Sequence, residues 1–415
     1  MKRKLLSILI FFVIASVLSG CWDRKEIETR GFVLGIAIDK YPPTPQAEEK
    51  GAPGETPPKE EEKLEEMEVH TGKDQYAMTV QIPIAKKTGV SSTGGSGGTS
   101  DGRGEGANSW EITQIGNSFM SMNREMQSRT DLSLYYEHLQ VIILSDRIAR
   151  EGIENVIDFF VRDPEMRRVV KVFISEGQAK SILDVTPKIQ DYSSVYLNKI
   201  PMNATKNSRM ISKTDLGEVI KSIHAGLDFV LPKVIATVDE IKTSGGAAFK
   251  NGRMVGWVSE LEVEAIKFIQ NDYSGGVISI PSPEHEGGIV VMEVTSAQTK
   301  VKPVIQNNEL SFDINIAVKG NYAENINMHT HAKLSQELIN KLEKGYGKEI
   351  ERICKQTVSK MQEEYGADVF RFGQILAANE PAYWRKIEGK WDSVYPIVGV
   401  NIKADVSIRL LGIVQ

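Results

Sequence analysis

The sequence predicts an α/β (α+β) chain of several domains built on mixed sheets. Three observations carry that expectation. Apolar strand-like runs alternate with helix-period stripes through the first half of the chain. A hairpin-turn signal, Asn251-Gly252, sits between two strand-like runs in the middle. A long helical stripe near the C-terminus is bracketed by strand-like segments. A chain of 415 residues exceeds what one hydrophobic core organises. Three domains are expected, at residues 22–200, 201–285 and 286–415, with a long helix against an antiparallel sheet in the last.

Residues 1–20 precede these domains. Lys2, Arg3 and Lys4 are followed by an uncharged apolar run from Leu5 to Leu18, then by Ser19, Gly20 and Cys21. A basic head, a short apolar segment and small residues make a secretory signal rather than a membrane span. Trp22-Asp23-Arg24-Lys25-Glu26 cuts the run short of the roughly 20 apolar residues that a span needs. Leu18-Ser19-Gly20-Cys21 resembles the bacterial lipobox, in which a thiol is coupled to diacylglycerol and the chain is cut before the cysteine. Cys21 is therefore the expected lipidation site. One acyl chain binds a bilayer reversibly, whereas two anchor it stably.

Gly31–Asp39 reads as a buried strand, and Tyr76–Ala85 as the next. Pro42–Glu68 is rich in Pro, Glu and Lys and too poor in apolar residues to order itself. Gly89–Gly106 has the composition of a flexible linker. Both are read as disordered insertions, near 42–72 and 88–107, within the first domain. From Trp110 onward, Ile112, Ile115, Phe119, Met122 and Met126 follow helical spacing. Leu139–Leu144 reads as a strand, Ile148–Val161 as a helix, Val169–Ile174 as a strand, and 192–215 as a polar connection. A short helix is expected over Leu216–His224, strands over 234–238, 247–249 and 254–258, and a helix over Glu260–Ile269. In the last third, strands are expected at 289–294, 301–305, 310–318 and 400–410. Leu334, Leu338, Leu342, Tyr346, Ile350, Ile353, Thr357, Met361 and Tyr365 line one face of a long helix.

Composition narrows the functional classes. The chain carries 50 basic and 55 acidic residues, a net charge of −5. Without Lys2, Arg3 and Lys4 the balance is 47 against 55, or −8. Such a surface argues against nucleic acid as a partner, which calls for a basic patch. With Cys21 lipidated, Cys354 has no cysteine left to pair with, and its place on a periodic helix predicts a small buried apolar side chain.

Several stretches, in order, resemble the C-subunit lipoproteins of bacterial spore germinant receptors, the Ger(x)C type. They are Cys21–Glu28 followed by Gly31–Asp39; Arg162-Asp163-Pro164-Glu165-Met166-Arg167; Gly246–Phe249 with Met254–Trp257; and Tyr365–Phe370 with Phe372-Gly373, Pro381, Trp384 and Trp391. The resemblance implies a three-domain α/β subunit without an enzymatic role or cofactor. It implies a diacylglyceryl anchor on the extracytoplasmic face of the spore inner membrane. A-type and B-type membrane subunits would be its partners in responding to nutrients. Whether it supports assembly and signalling or holds the nutrient itself stays open at this point.

Other candidate chemistry is thin. His329-Thr330-His331 places two histidines on one face of a strand, as two zinc ligands require, but no third ligand is near in sequence. A solvated turn accounts for it better. Arg162, Asp163, Glu165, Arg167 and Arg168 form a dense charge cluster that is either an anion or acidic-partner site or the solvated end of a helix broken by Pro164. Gly94–Gly106 lacks the Lys-Ser/Thr ending of a phosphate loop. The Gly-x-Ser-x-Gly matches at Gly94–Gly98 and Gly98–Gly102 fall inside that linker-like tract rather than at a strand-to-helix elbow, and no His-Glu-x-x-His motif occurs.

Overall fold

The computed structural model describes residues 29–42, 75–84, 108–326 and 335–409. Cys21, His329, His331, the tract 89–106 and nearly all of 42–72 lie outside the described residues.

The chain enters as β1 (Arg30–Phe32) and β2 (Gly35–Tyr41), two strands where one was expected. β3 (Gln75–Pro83) returns antiparallel to β2, and β4 (Ser109–Gly116) pairs antiparallel with β3. The helix expected from Trp110 begins only at α1 (Phe119–Met126), capped by the Ser118 hydroxyl. The reason is burial on both faces. Ile112 enters one core while Thr113 and Ile115 are buried on the other side. No polar alternation marks the strand, and the three-residue step from Ile112 to Ile115 imitates a helix.

β5 (Ser133–Tyr135) pairs parallel with β1, and β6 (Val141–Ser145) pairs parallel with β2. The helix expected over 148–161 is two helices, α2 (Asp146–Glu151) and α3 (Glu154–Arg162). They are divided at Gly152, whose φ of 120° lies outside the helical region. β7 (Lys171–Ser175) adds parallel to β6, followed by α4 (Lys180–Asp184). The connection expected over 192–215 contains a helix, α5 (Ser193–Lys199), and a 3₁₀ turn at Ile200–Thr205. α6 spans Leu216–His224, as expected.

β8 (Phe229–Ala236) pairs parallel with β7, and the β9 (Ile241–Lys250)–β10 (Arg253–Val258) hairpin continues antiparallel. Asn251 and Gly252 both have positive φ, 49° and 71°, as a two-residue hairpin turn requires. Residues 201–285, expected as a middle domain, have no sheet of their own among the described residues. β8 to β10 complete one eight-stranded sheet, in the order β10-β9-β8-β7-β6-β2-β3-β4, because the flank of β7 offers them an unpaired edge.

One face of this sheet packs under α1, α2, α3 and α6, with Ile36, Ile38, Val80, Ile142, Phe160 and Phe249 at its centre. Ala37, Ile143, Phe173 and Val234 face α4 and α5 on the other side. β2 is buried on both faces, so it reads as a continuous apolar run.

α7 (Glu260–Ile269) starts with a capping box between Ser259 and Glu262. β11 (Gly276–Pro281), β12 (Ile289–Gln306) and β13 (Glu309–Ile326) form antiparallel pairs; the two strands expected at 289–305 are one. α8 (Gln336–Ser359) continues through one π-helical turn at Lys360–Glu364, and α9 (Phe372–Asn379), α10 (Pro381–Ile387) and α11 (Trp391–Val394) follow. β14 (Gly399–Arg409) closes the four-stranded sheet parallel to β13, so this sheet is mixed rather than purely antiparallel. The long α8 crossover makes a parallel return feasible. α8 also covers the open edge of β14: Glu351 accepts the Ala404 N–H at 3.1 Å, and Glu343 that of Ile408 at 2.9 Å. Cys354 is fully buried on α8, as expected.

Candidate functional site

The motifs scattered along the sequence meet where the two sheets join. β9 is the hinge piece, because alternate side chains serve different cores. Ala247 and Phe249 pack into the eight-stranded layer, and Ala248 packs with Val263, Ile266 and the C-terminal core. On the next strand Gly256 lies flush against Tyr365, and a Cβ there would overlap the phenol ring. The Tyr365 hydroxyl donates to the Trp257 carbonyl at 2.8 Å. Lys360 donates to the same carbonyl at 3.0 Å and pairs with Glu262 at 2.9 Å.

Asp368 is the polar centre of this junction. Its carboxylate accepts the N–H groups of Phe372 and Gly373, each at 2.8 Å, and the indole N–H of Trp391 at 3.1 Å. Its own backbone N–H donates to Asp228 at 2.7 Å. Burial raises the Asp368 pKa to about 7, against the three donors and with the nearby Asp228 charge adding to the rise. Burial also raises the Asp228 pKa. Lys250 donates to the Gly366 carbonyl at 2.6 Å and pairs with Asp392 at 3.1 Å. Gly373 lets the indoles close over it: a Cβ would stand 2.9 Å from the Trp391 ring nitrogen and 3.1 Å from Trp384. Trp384 and Trp391 meet edge to face at 5.4 Å. This arrangement locks one lobe to the other.

Sequence reading missed a second polar node, on α7. Glu264, 2 % exposed, accepts from Ser208 at 2.8 Å and Tyr273 at 3.0 Å and pairs with Arg209 at 3.3 Å. Lys267 donates to the Ala204 and Met210 carbonyls at 3.2 and 3.3 Å. Together they pin the 204–210 segment onto the helix. A charged residue inside an otherwise apolar helical stripe was the available signal. Beside this node a cleft of about 80 Å³ runs between α6, β8 and α7, with Asp228, Lys267 and Arg371 among its walls.

The cluster at 162–168 resolves into a helix end. Arg162 pairs with Asp158 on the exposed face of α3 at 2.6 Å. Asp163 accepts the Glu165 N–H at 2.9 Å, and Glu165 accepts that of Tyr136 at 3.1 Å. Arg167 and Arg168 project into solvent. Among the described residues no group of three or more His, Cys, Asp or Glu side chains is placed to hold a metal ion. Burial pushes the Cys354 thiol pKa far up, which makes it a poor nucleophile. Among the described residues no helix is long and apolar enough to cross a membrane.

Comparison with known proteins places this geometry. A model described as the spore germination protein N-terminal domain matches residues 23–236. A second, described as spore germination B3/GerAC like, C-terminal, matches residues 244–412. Spore germination protein YndF of Bacillus subtilis (strain 168) is 27 % identical over 418 residues, covering 100 % of this chain and 98 % of that protein. Spore germination protein B3 of the same organism is 24 % identical over 412 residues, covering 98 % and 96 %. The crystal structure of the GerBC protein superposes with a TM-score of 0.56 at 22 % identity, over 82 % of this chain and 95 % of that one. At that identity it speaks for the fold alone. The boundary between the two matched regions falls within the β8–β9 turn and at the start of β9, the strand whose side chains divide between the two cores.

Proposed function

The chain belongs to the Ger(x)C family of spore germination proteins, and from that premise we propose that it is a lipid-anchored, non-enzymatic subunit of a nutrient germinant receptor complex. It acts as an extracytoplasmic scaffold or signalling partner for A-type and B-type membrane subunits, held at the spore inner membrane through Cys21. The observation that carries this reading is the end-to-end run of family sequence behind a lipobox-like Leu18–Cys21. A junction built to fix two lobes together supports a scaffold role.

Membrane fractionation tests the anchor. Cys21→Ala should release or mislocalise the protein and impair germination, since the two-chain anchor depends on that thiol. Protein that stays with salt-washed membranes and functions normally would refute the assignment. Calorimetric titration of the chain with nutrients separates scaffold from solute binder: micromolar binding heat would favour the solute-binding alternative.

A further inference from the structure

We propose that the edge of the eight-stranded sheet where the chain enters the fold rests against anionic lipid headgroups, with the Arg167-Arg168-Val169 turn as its contact. The inference rests on the Cys21 anchor and goes beyond it, because a tether alone leaves the orientation of the fold free.

The topology defines the edge. β2, β6 and β7 run parallel, so their first residues Gly35, Val141 and Lys171 stand in one row. Arg30 enters just ahead of that row, and the 164–170 turn leads into it. Cys21 precedes Arg30 by nine residues, a reach of at most about 30 Å even fully extended. The entry edge is thereby kept close to the bilayer.

The side chains of this edge suit that neighbour. In the charge cluster the acids turn inward, where Asp163 and Glu165 accept backbone N–H groups. Arg167 and Arg168 turn outward, and neither has an ion pair among the described residues. Val169 beside them is 58 % exposed. Gln81 pairs with Gly35, so the chain beyond it reaches the same edge and leaves Ile84 and Trp110 exposed there, at 44 % and 41 %. Arginine, tryptophan and scattered apolar side chains are what a headgroup region accommodates. The exposed acid Glu137 is bonded to Tyr135, whose ring also carries Arg30 at 4.1 Å. The far edge contrasts. There Tyr41 and Gln75 flank residues 43–74, which hold ten acidic and four basic side chains. An anionic surface repels such a segment.

Site-directed labelling of the full-length lipidated protein tests the orientation. The buried Cys354 does not compete for label, and Cys21 carries the lipid. A fluorophore on Val169→Cys is compared with one on Glu176→Cys, which follows the last residue of β7 at the opposite edge. Both proteins are reconstituted into vesicles of phosphatidylcholine alone or mixed with phosphatidylglycerol, and quenching by headgroup-region nitroxide lipid is read. The label at 169 should be quenched in phosphatidylglycerol vesicles and the label at 176 should not. Each arginine near an anionic surface contributes about five-fold to association, so Arg167→Gln with Arg168→Gln should lower the lipid-contacting population about 25-fold. Val169→Ser, which keeps both charges, should lower it less. Protein that floats with vesicles while label 169 stays in water overturns the orientation and leaves the anchor standing. Protein that fails to float overturns the anchor and the orientation together. Quenching of label 169 that is equal with and without phosphatidylglycerol overturns the anionic contact. Protection at 169 that arises only when membrane-spanning subunits are added overturns the lipid contact in favour of a protein one.

Discussion

Asp39 and Asp368 are buried carboxylates that organise backbone donors from other segments. Asp39 accepts the N–H groups of Ala179 and Lys180 at 2.7 and 2.9 Å, fixing the start of α4 to the end of β2. Burial raises its pKa to about 6 despite those two bonds. A carboxyl with a folded pKa above its unfolded value contributes stability that is fully present below the unfolded value of about 4. That contribution is lost as pH rises through the folded value. The stability of the wild type relative to Asp39→Asn should therefore fall between pH 4 and pH 7, measured by urea unfolding at several pH values. A difference that does not change with pH would contradict this. Asp368→Ala strands the Phe372, Gly373 and Trp391 donors at the junction. At about 1–3 kcal/mol for each unsatisfied buried group, with partial relief by water, a loss of about 3 kcal/mol is expected. A change under about 1 kcal/mol would show that the junction tolerates its absence.

Elements whose two faces differ were legible in the sequence, as were the continuous apolar runs of β2, β6 and β7; β4, buried on both faces but mixing polar with apolar residues, was not. α6, α7 and the β9–β10 turn followed from periodicity and from Asn251-Gly252. β4 was taken for helix because Ile112, Thr113, Gln114 and Ile115 are all buried, although Gly116-Asn117-Ser118 offered a break and a cap. β12 was divided because residues 295–300, Thr-Ser-Ala-Gln-Thr-Lys, are exposed or half-buried and break the apolar pattern between 289–294 and 301–305. The β2–β3 ladder carries its own prediction. Tyr41 and Gln75 are direct partners, so a short turn in place of Pro42–Glu68 should leave the ladder intact. Loop closure changes by only about 0.6 kcal/mol per doubling of length, and Tm should move by a few degrees at most in a thermal melt. A loss of ten degrees or more would show that the segment packs against the fold.

At the scale of the whole molecule, the sequence revealed the pieces of the site but not their meeting. Gly256, Asp368 and Trp391 were visible as parts of separate motifs, yet which strand faces which loop depends on pairings more than 100 residues apart, such as Tyr365 with Trp257. Glu264 and Lys267 were hidden for a similar reason, since their partners lie near 204–210. The assembled molecule is two sheet layers whose cores meet across β9, fastened by a buried polar centre. The proposed function turns on membership in a receptor complex. The most direct measurement is affinity purification of the tagged full-length protein from detergent-solubilised spore membranes, followed by identification of what co-elutes. Co-elution of A-type and B-type germinant receptor subunits, retained by the wild type and lost with Cys21→Ala, is the predicted result. Elution of the protein free of both subunits, from membranes that contain them, would contradict the account.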